Sequence, residues 1–267
     1  MSTQEEGLDF LRDFTFQMYS MLCQKIQAKY ATTTVLDYLK RQPDDVAIIR
    51  HDVDKKPKNA LSMANLEASL GIQSTYYFRT VPDSFDKEVI GKIEDLGHEI
   101  GYHYEVLDTV GGNYEEAISL FADNLTRFPC EIKTICMHGN PLTPWDNRDL
   151  WSRYDFKKYG IAGEAYLSLD FSRITYFSDT GRAWHDRYSI KDYTANPPPK
   201  TASIANTPDL IRHIPSLQGP VCVVTHPQRW NDAIVPWTVE LAGQTTRNIG
   251  KMGIRFFGRR KTHAATR

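Results

Sequence analysis

Several features that would assign a protein class at once are missing from this sequence. No apolar run approaches the roughly 20 residues that a membrane-spanning helix requires. The 32 lysines and arginines nearly balance the 33 aspartates and glutamates, so no large net charge attracts nucleic acid or anionic lipid. The N-terminus is acidic where a secretory signal peptide is basic, and this pattern predicts a cytoplasmic protein without a membrane span.

Cysteines are also few, and no Cys-x-x-Cys spacing occurs among the four at positions 23, 130, 136 and 222. Three of them stand in apolar surroundings, which favours buried reduced thiols over disulfides or a zinc knuckle. A Gly-x-Gly-x-x-Gly motif and a phosphate-binding loop are missing as well, so nothing in the sequence supports a nucleotide-binding fold.

Apolar, β-branched runs alternate along the chain with segments of helical periodicity. This alternation predicts an α/β fold with a parallel sheet and crossover helices. The predicted strands are 46–50, 74–80, 98–104, 132–137, 163–169, 173–177 and 221–224. Six or seven parallel strands with outer helices predict a distorted, incomplete β/α barrel that is TIM-like, and an open doubly wound sheet is the alternative.

The two ends of the chain have the periodicity of helices. Residues 1–40 are predicted to be a helical extension packed on the barrel, with a first helix over 8–27. Residues 41–267 are predicted to form the barrel, in a single domain because no low-complexity linker divides the chain. Thr207 is expected to cap a helix, and a closing helix is expected over 237–249.

Two carboxylates follow the first predicted strand of the barrel. Asp52 and Asp54 are two residues apart, so both side chains are expected to face the same way at the carboxyl end of that strand. Neighbouring anions need a cation, and a metal held by one carboxylate would leave the other as a base. An aspartate pair that caps the helix beginning at Pro57 is the alternative interpretation.

Histidines occur at the ends of other predicted strands. His103 is the strongest imidazole ligand candidate, and the small Gly101 on the same face is expected to leave room for an ion or substrate. His138 either joins the same site or only occupies a turn. His226 could donate a proton to a leaving group or could be structural. His98 points to the opposite face and is interpreted as structural.

A family resemblance is carried by four segments of the chain: Arg50–Asp54, Gly71–Phe78, Gly97–His103 and Val223–His226. In order and spacing they resemble the polysaccharide deacetylase superfamily, carbohydrate esterase family 4 with the NodB-homology fold. The nearest match is a divergent branch associated with surface-polysaccharide and O-antigen biosynthesis. The resemblance implies a divalent metal, often zinc, that an aspartate and two histidines hold, with a second aspartate as general base and a late histidine as general acid.

Carried over residue by residue, the resemblance makes Asp54 the metal-binding aspartate, because its distance from Gly71 matches the family spacing. Asp52 is then the general base, His103 a metal ligand and His226 the general acid. The family's second liganding histidine is missing.

Position 107, where that histidine is expected, is Leu107. His138 is the preferred third ligand, and Asp108 and His98 are the alternatives.

The family's arginine that steadies the base has no clear equivalent either, and Arg79 and Arg182 are the candidates. Residues 179–184 are expected to replace the aspartate and tryptophan that wall the family's site. Arg229 and Trp230 extend the last loop and could flank a sugar ring. The candidate substrate contacts are therefore Arg79, Arg182, Trp184, Arg229 and Trp230.

The resemblance implies hydrolysis of an N-acetyl group on a sugar or sugar intermediate of surface-polysaccharide biosynthesis. A cytoplasmic enzyme would act on an N-acetylated sugar, a nucleotide sugar or a lipid-linked sugar. Two alternatives stay open, namely a metal amidohydrolase that acts on a non-sugar amide and a non-catalytic, carbohydrate-binding relic of the fold.

Overall fold

The computed structural model describes Leu8, residues 11–185, Tyr188 and residues 204–264, with side chains as far as Gly253. Its described strands are β1 (Ala31–Thr33), β2 (Val46–Val53), β3 (Thr75–Phe78), β4 (Glu99–Tyr104), β5 (Thr134–Met137), β6 (Gly163–Glu164), β7 (Thr175–Ser178) and β8 (Val221–Thr225). Seven strands follow the order β6-β5-β4-β3-β2-β8-β7, all pairings are parallel, and β1 pairs with the start of β2. The sheet curls into an open half-barrel, so the predicted distorted, incomplete barrel is confirmed.

Helices and short turns connect these strands. The helices are α1 (Phe16–Gln27), α2 (Val35–Arg41), α3 (Pro57–Ser69), α4 (Lys87–Asp95), α5 (Val106–Thr109), α6 (Tyr114–Leu125), α7 (Thr207–His213) and α8 (Ile234–Ala264). Single 3₁₀ segments span Asn147–Ser152, Phe156–Tyr159, Ile214–Ser216 and Pro227–Arg229. Among the described helices, none is both long enough and apolar enough to cross a lipid bilayer.

Strand β2 divides its side chains between two hydrophobic cores, and all eight of its residues are buried. Ile48 belongs to the core on the barrel side, whereas Ala47 and Ile49 belong to a second core that also contains residues of α1. Because side chains alternate along a strand, Arg50 and Asp52 share the face of Ile48. His51 lies on the opposite face, toward α1 and α3.

Several predicted boundaries differ from the observed ones at the ends of elements. The first helix begins at Phe16 rather than residue 8, because Phe14 has a φ of +58° and the Thr15 side chain accepts from the Met18 amide. The last helix is longer than predicted and spans Ile234–Ala264. Asn206, and not Thr207, caps α7 through the Asp209 amide. The aromatic sequence over 180–199 also predicts an irregular loop, and most of that segment lies outside the described residues.

The predicted strand over 163–169 is confined to Gly163 and Glu164. The buried Glu164 carboxylate accepts hydrogen bonds from the amides of Met137, Tyr166 and Leu167. These bonds turn the chain immediately after β6, so the apolar residues that follow cannot continue the strand.

A buried polar network joins α1 and α3 to the outer face of the sheet. The Glu67 carboxylate on α3 accepts from the Tyr19 hydroxyl, from Ser74 Oγ at 2.6 Å and from the Tyr76 hydroxyl at 2.7 Å. His51 Nε2 lies 2.9 Å from the same carboxylate, and its Nδ1 lies 2.6 Å from Thr225 Oγ1. Burial alone raises the pKa of Glu67, but the neighbouring imidazoles lower it from 4.5 to about 2.

His98 and Gly101 both belong to the packing of the sheet. His98 Nε2 lies 3.1 Å from the Ala64 carbonyl, and its Nδ1 accepts from the Ser74 amide, so its predicted structural role agrees with its contacts. A Cβ at Gly101 would lie 2.3 Å from the ring of Tyr77. The expectation that Gly101 leaves room for an ion or substrate is therefore wrong, because the Tyr77 ring fills that space.

Candidate metal centre

The candidate site lies at the carboxyl edge of the sheet, where four strands end. Asp54 follows β2, His103 lies near the end of β4, His138 follows β5 and His226 follows β8. The pairing of His103 with Cys136 across β4 and β5 sets the relative height of the two central histidines. Parallel strands bring residues far apart in sequence to this single edge.

Three ligand atoms converge in the centre of this edge. Asp54 Oδ1 lies 3.1 Å from His138 Nδ1 and 3.6 Å from His103 Nε2. The two imidazole nitrogens lie 3.2 Å from each other. These residues form one of two groups that could hold a metal ion among the described residues.

Hydrogen bonding fixes the tautomer of His103. Its Nδ1 lies 3.0 Å from the carbonyl oxygen of Cys136. Because a carbonyl can only accept, Nδ1 carries the proton, and in the neutral ring Nε2 presents a lone pair toward Asp54 and His138. A backbone partner on the other ring nitrogen is the usual arrangement of a metal-binding histidine.

In this cluster a carboxylate oxygen lies close to two imidazole nitrogens, and no lysine or arginine of the described residues lies between them. Asp54 Oδ2 accepts from Gln228 Nε2 at 3.0 Å, whereas the buried Oδ1 makes no hydrogen bond of good geometry to any described residue. Burial raises the pKa of Asp54, but the two imidazoles outweigh it and hold that pKa well below its usual range. Such an atom set needs either a proton or a cation between its members.

The separations fit a tetrahedral metal ion. Zinc binds imidazole nitrogen and carboxylate oxygen at about 2.0–2.2 Å, so neighbouring ligand atoms of a tetrahedral site lie about 3.3–3.5 Å apart. The three observed separations, from 3.1 to 3.6 Å, bracket this value. Asp54, His103 and His138 can therefore hold a zinc-like ion with only small movements.

The two alternative third ligands are used elsewhere. Asp108 accepts from Thr143 Oγ1 at 2.5 Å and from Asn147 Nδ2 at 2.9 Å, so it braces the loop beside the site. Leu107 is fully buried in the core, with its amide bonded to Asn147. His98 lies on the other face of the sheet. His138 is thus the nearest of the three candidates to Asp54 and His103.

The carboxylate of Asp52 is held by an arginine to which the sequence analysis assigned no role at the site. Arg50, fully buried on the same face of β2, donates to Asp52 Oδ2 at 3.1 Å and packs over the ring of Tyr166. Burial raises the pKa of Asp52, but Arg50, His103 and His226 outweigh it and lower that pKa. Asp52 Oδ1 makes no hydrogen bond to a described residue, so an ionised acceptor is available.

The contact between Arg50 and Asp52 could have been predicted from the sequence. Arginine and aspartate at positions i and i+2 of a strand share a face, and a buried arginine requires an anion beside it. The expectation that Arg79 or Arg182 steadies the base has no support in the contacts. Arg79 pairs with Glu105 at 2.7 Å, and Arg182 donates to the Arg229 carbonyl.

His226 is held by a buried carboxylate. Its Nδ1 lies 2.6 Å from Asp179 Oδ1, and its amide donates to Asp179 Oδ2 at 3.0 Å. Arg229 and Trp230 also donate to Asp179. Burial raises the pKa of Asp179, but Arg229 and His226 lower it to about 2, so this carboxylate stays ionised. Arg229 NH1 lies 2.7 Å from the same Nδ1, but it donates to Asp179 as well, whereas the carboxylate 2.6 Å from Nδ1 can only accept. The Nδ1 proton of His226 is therefore assigned to Asp179, and Nε2 is left for chemistry.

The candidate substrate contacts separate into two groups. Trp184 and Trp230 are 1% and 0% exposed, and their indoles bond Thr207 and Asp179. Neither ring can stack on a sugar from these positions, because both belong to the second core. Arg182 packs against Phe14 and Trp237 rather than facing the site.

Arg79 and Arg229, in contrast, line a pocket of about 470 Å³ over Asp54 and His138. The opposite wall belongs to α8, which contributes Glu240, Gln244 and Arg247. A pocket of this size accommodates a small ligand. The walls made by Gln228 and α8 were not foreseen, because these residues form no motif in the sequence.

Comparisons with known proteins give a weak likeness in fold. No protein-family model matches this chain, and no curated protein matches its sequence. The chain is similar to the solved structure of a mutant CE4 family pseudoenzyme with restored enzymatic activity, at 10% identity and a TM-score of 0.38, over 77% of this chain and 62% of that one. It is also similar to a family 4 carbohydrate esterase from Bacillus anthracis, at 11% identity and a TM-score of 0.36, over 87% and 86% of the two chains.

Proposed function

We propose that this protein is a metal-dependent deacetylase that hydrolyses the amide of an N-acetylated sugar. The observation that carries the proposal is the convergence of Asp54 Oδ1, His103 Nε2 and His138 Nδ1, with separations of 3.1–3.6 Å. A base candidate and an acid candidate are grouped around them, since the pKa of Asp52 is shifted by burial and also by His103, by His226 and by Asp54. Zinc is the proposed ion because the ligand set is mixed imidazole and carboxylate.

The roles of the side chains follow from their hydrogen bonds. A divalent cation at Asp54, His103 and His138 would polarise the acetamido carbonyl and acidify water. Asp52 accepts the proton of the attacking water on its unpaired Oδ1 while Arg50 holds Oδ2. His226 then delivers a proton from Nε2 to the departing sugar nitrogen while Asp179 stabilises the resulting imidazolium. The products are acetate and a free amino sugar.

The proposed substrate is an intermediate of surface-polysaccharide synthesis in the cytoplasm, either nucleotide-linked or lipid-linked. A pocket of about 470 Å³ suits one sugar with a small attachment better than a long polymer. The proposed site residues in contact with that sugar are Arg79 and Arg229, which reach the pocket wall.

The test measures metal content and acetate release separately. We expect purified protein loaded with zinc, cobalt or manganese to release acetate from an N-acetylated sugar but not from a panel of non-sugar amides. Asp52→Asn should keep the metal and lose at least about 100-fold in kcat. Asp54→Asn should lose the metal as well, because it removes an anionic ligand.

Two outcomes would contradict the proposal. Release of an acid or ammonia only from non-sugar amides would favour a different metal amidohydrolase. Binding of N-acetylated sugars with neither metal uptake nor acetate release would favour a non-catalytic relic of the fold. The exposed pair Glu88 and Lys92 on α4 supplies the control, since Glu88→Gln should change neither metal content nor turnover.

A further inference from the structure

The pocket over the candidate metal centre carries an excess of positive charge. Five cationic side chains line it, against the carboxylates of Asp54 and Glu240. Two of those cations, Arg79 and Arg229, are engaged by Glu105 and Asp179 on the barrel side. The excess is therefore concentrated on the opposite side of the pocket, around Glu240.

Three cations share the single carboxylate of Glu240. Lys55 Nζ lies 3.5 Å from it, Lys56 Nζ 3.4 Å and Arg247 NH2 2.6 Å. Glu240 is 5% exposed, whereas the three cationic side chains are between 34% and 46% exposed. One buried anion thus leaves two positive charges of this group without a counter-charge within the group.

The backbone brings the two lysines together at a cost in conformational energy. Adjacent residues normally diverge, but Lys56 has a φ of +55° and a ψ of +62°, in the left-handed region. In this conformation both lysine side chains reach Glu240. A non-glycine residue in this region is disfavoured, and such residues concentrate at binding sites.

The same lysines stand at an unfavourable end of a helix. Lys56 occupies the N-cap of α3, makes no side-chain cap, and no acidic residue lies in the first turn. The N-terminus of a helix carries partial positive charge and normally attracts an acidic or small polar residue. Lysines at this position conflict with the helix dipole, and an anion bound beside them would relieve the conflict.

We infer that the sugar substrate carries a phosphate ester, which Lys55 and Arg247 bind in this pocket, with Lys56 beside them adding positive charge through its contact with Glu240. The unmatched charge of Lys55, Lys56, Arg247 and Glu240 together equals that of a phosphate dianion, and the pocket extends from Lys55 and Arg247 to Asp54 and His138. The inference rests on the proposed deacetylase function for the identity of the sugar. The phosphate site itself rests on the charges and on the backbone that brings the lysines together, and it does not depend on the sugar.

The first experiment tests the anion site without catalysis. Chelator-treated protein is titrated with inorganic pyrophosphate by calorimetry, so that the anion cannot bind through a metal. Lys55→Gln and Arg247→Gln should each weaken binding about ten-fold. Lys55→Arg, which keeps the charge, should retain it, and so should Lys92→Gln, which removes a lysine of α4 that contacts Glu88. Equal affinity in all variants, or no binding by the unsubstituted protein, would overturn the inference.

The second experiment uses metal-loaded protein and compares acetate release from N-acetylglucosamine, its anomeric phosphate, its uridine diphosphate ester and a prenyl diphosphate ester. We expect kcat/KM to be at least ten-fold higher for the phosphorylated sugars, with a smaller preference in Arg247→Gln. The two diphosphate esters separate a nucleotide-linked source from a lipid-linked one. Equal kcat/KM for neutral and phosphorylated sugars would overturn the inference and leave the deacetylase. Charge-dependent pyrophosphate binding without acetate release from any sugar would overturn the deacetylase and leave the anion site.

Discussion

Replacing Glu67 by glutamine tests the buried network that joins α1 and α3 to the sheet. The carboxylate accepts from four side chains, two on each oxygen, so a glutamine amide group would face two donors with no acceptor to offer them. A buried donor left without a partner costs about 1–3 kcal/mol. We therefore expect Glu67→Gln to lower the free energy of unfolding by several kcal/mol.

The pKa of Glu67 gives a second, independent value for the loss in the free energy of unfolding. It is lowered from 4.5 to about 2, and each pKa unit corresponds to about 1.4 kcal/mol. The ionised carboxylate thus contributes about 3 kcal/mol to stability at neutral pH, in agreement with the hydrogen-bond argument. Because the folded-state pKa is the lower one, this contribution is complete above pH 4.5 and is lost as pH falls toward 2.

Urea unfolding followed by circular dichroism measures both quantities. The difference between the unsubstituted protein and Glu67→Gln should be about 3 kcal/mol at pH 7 and smaller at pH 3.5, where the folded protein still permits the measurement. Glu88→Gln, at an exposed position of α4, is the matched control and should change stability by less than about 0.5 kcal/mol. A loss below about 1 kcal/mol, or a loss independent of pH, would refute the reasoning.

Two further predictions concern the base and the acid. Asp179→Asn should reduce kcat by about 100- to 10,000-fold with unchanged metal content, because His226 loses the partner that fixes its tautomer; a kcat within ten-fold of the unsubstituted protein would contradict this. Arg50→Met should raise the pKa of Asp52, because it removes the positive charge that lowers it, and should therefore move the acidic limb of the kcat/KM profile to higher pH. An acidic limb at the original pH, in protein that thermal unfolding shows to be folded, would place the base elsewhere.

The sequence predicted the barrel because its signals are local and repeated. Apolar runs, helical periodicity and the order of elements predict a parallel sheet. The polar residues that follow its strands then lie together at the carboxyl edge of the sheet. The neighbourhood of Asp54, His103 and His138 follows from that rule alone. Their use as metal ligands stays a prediction.

Features that depend on tertiary packing could not be predicted from the sequence in this way. Trp184 and Trp230 follow strand ends as surface aromatics do, and only their packing in the second core buries them. Gly101 was interpreted as free space because the sequence does not show that the ring of Tyr77 crosses it. The early end of β6 depends on three amides that meet one carboxylate, and no local pattern predicts that meeting.

Arg50 and Asp52 lie on one interior strand of the sheet, apart from the segments that line the pocket. The distance between the two groups is set by the strand and its neighbours β3 and β8, and the connecting loops have no part in it. The segments that wall the pocket, including Lys55 before α3 and residues 240–251 of α8, lie outside this frame. Ligand preference can therefore diversify by exchange of those outer segments, while the ionised carboxylate beneath them keeps the same environment.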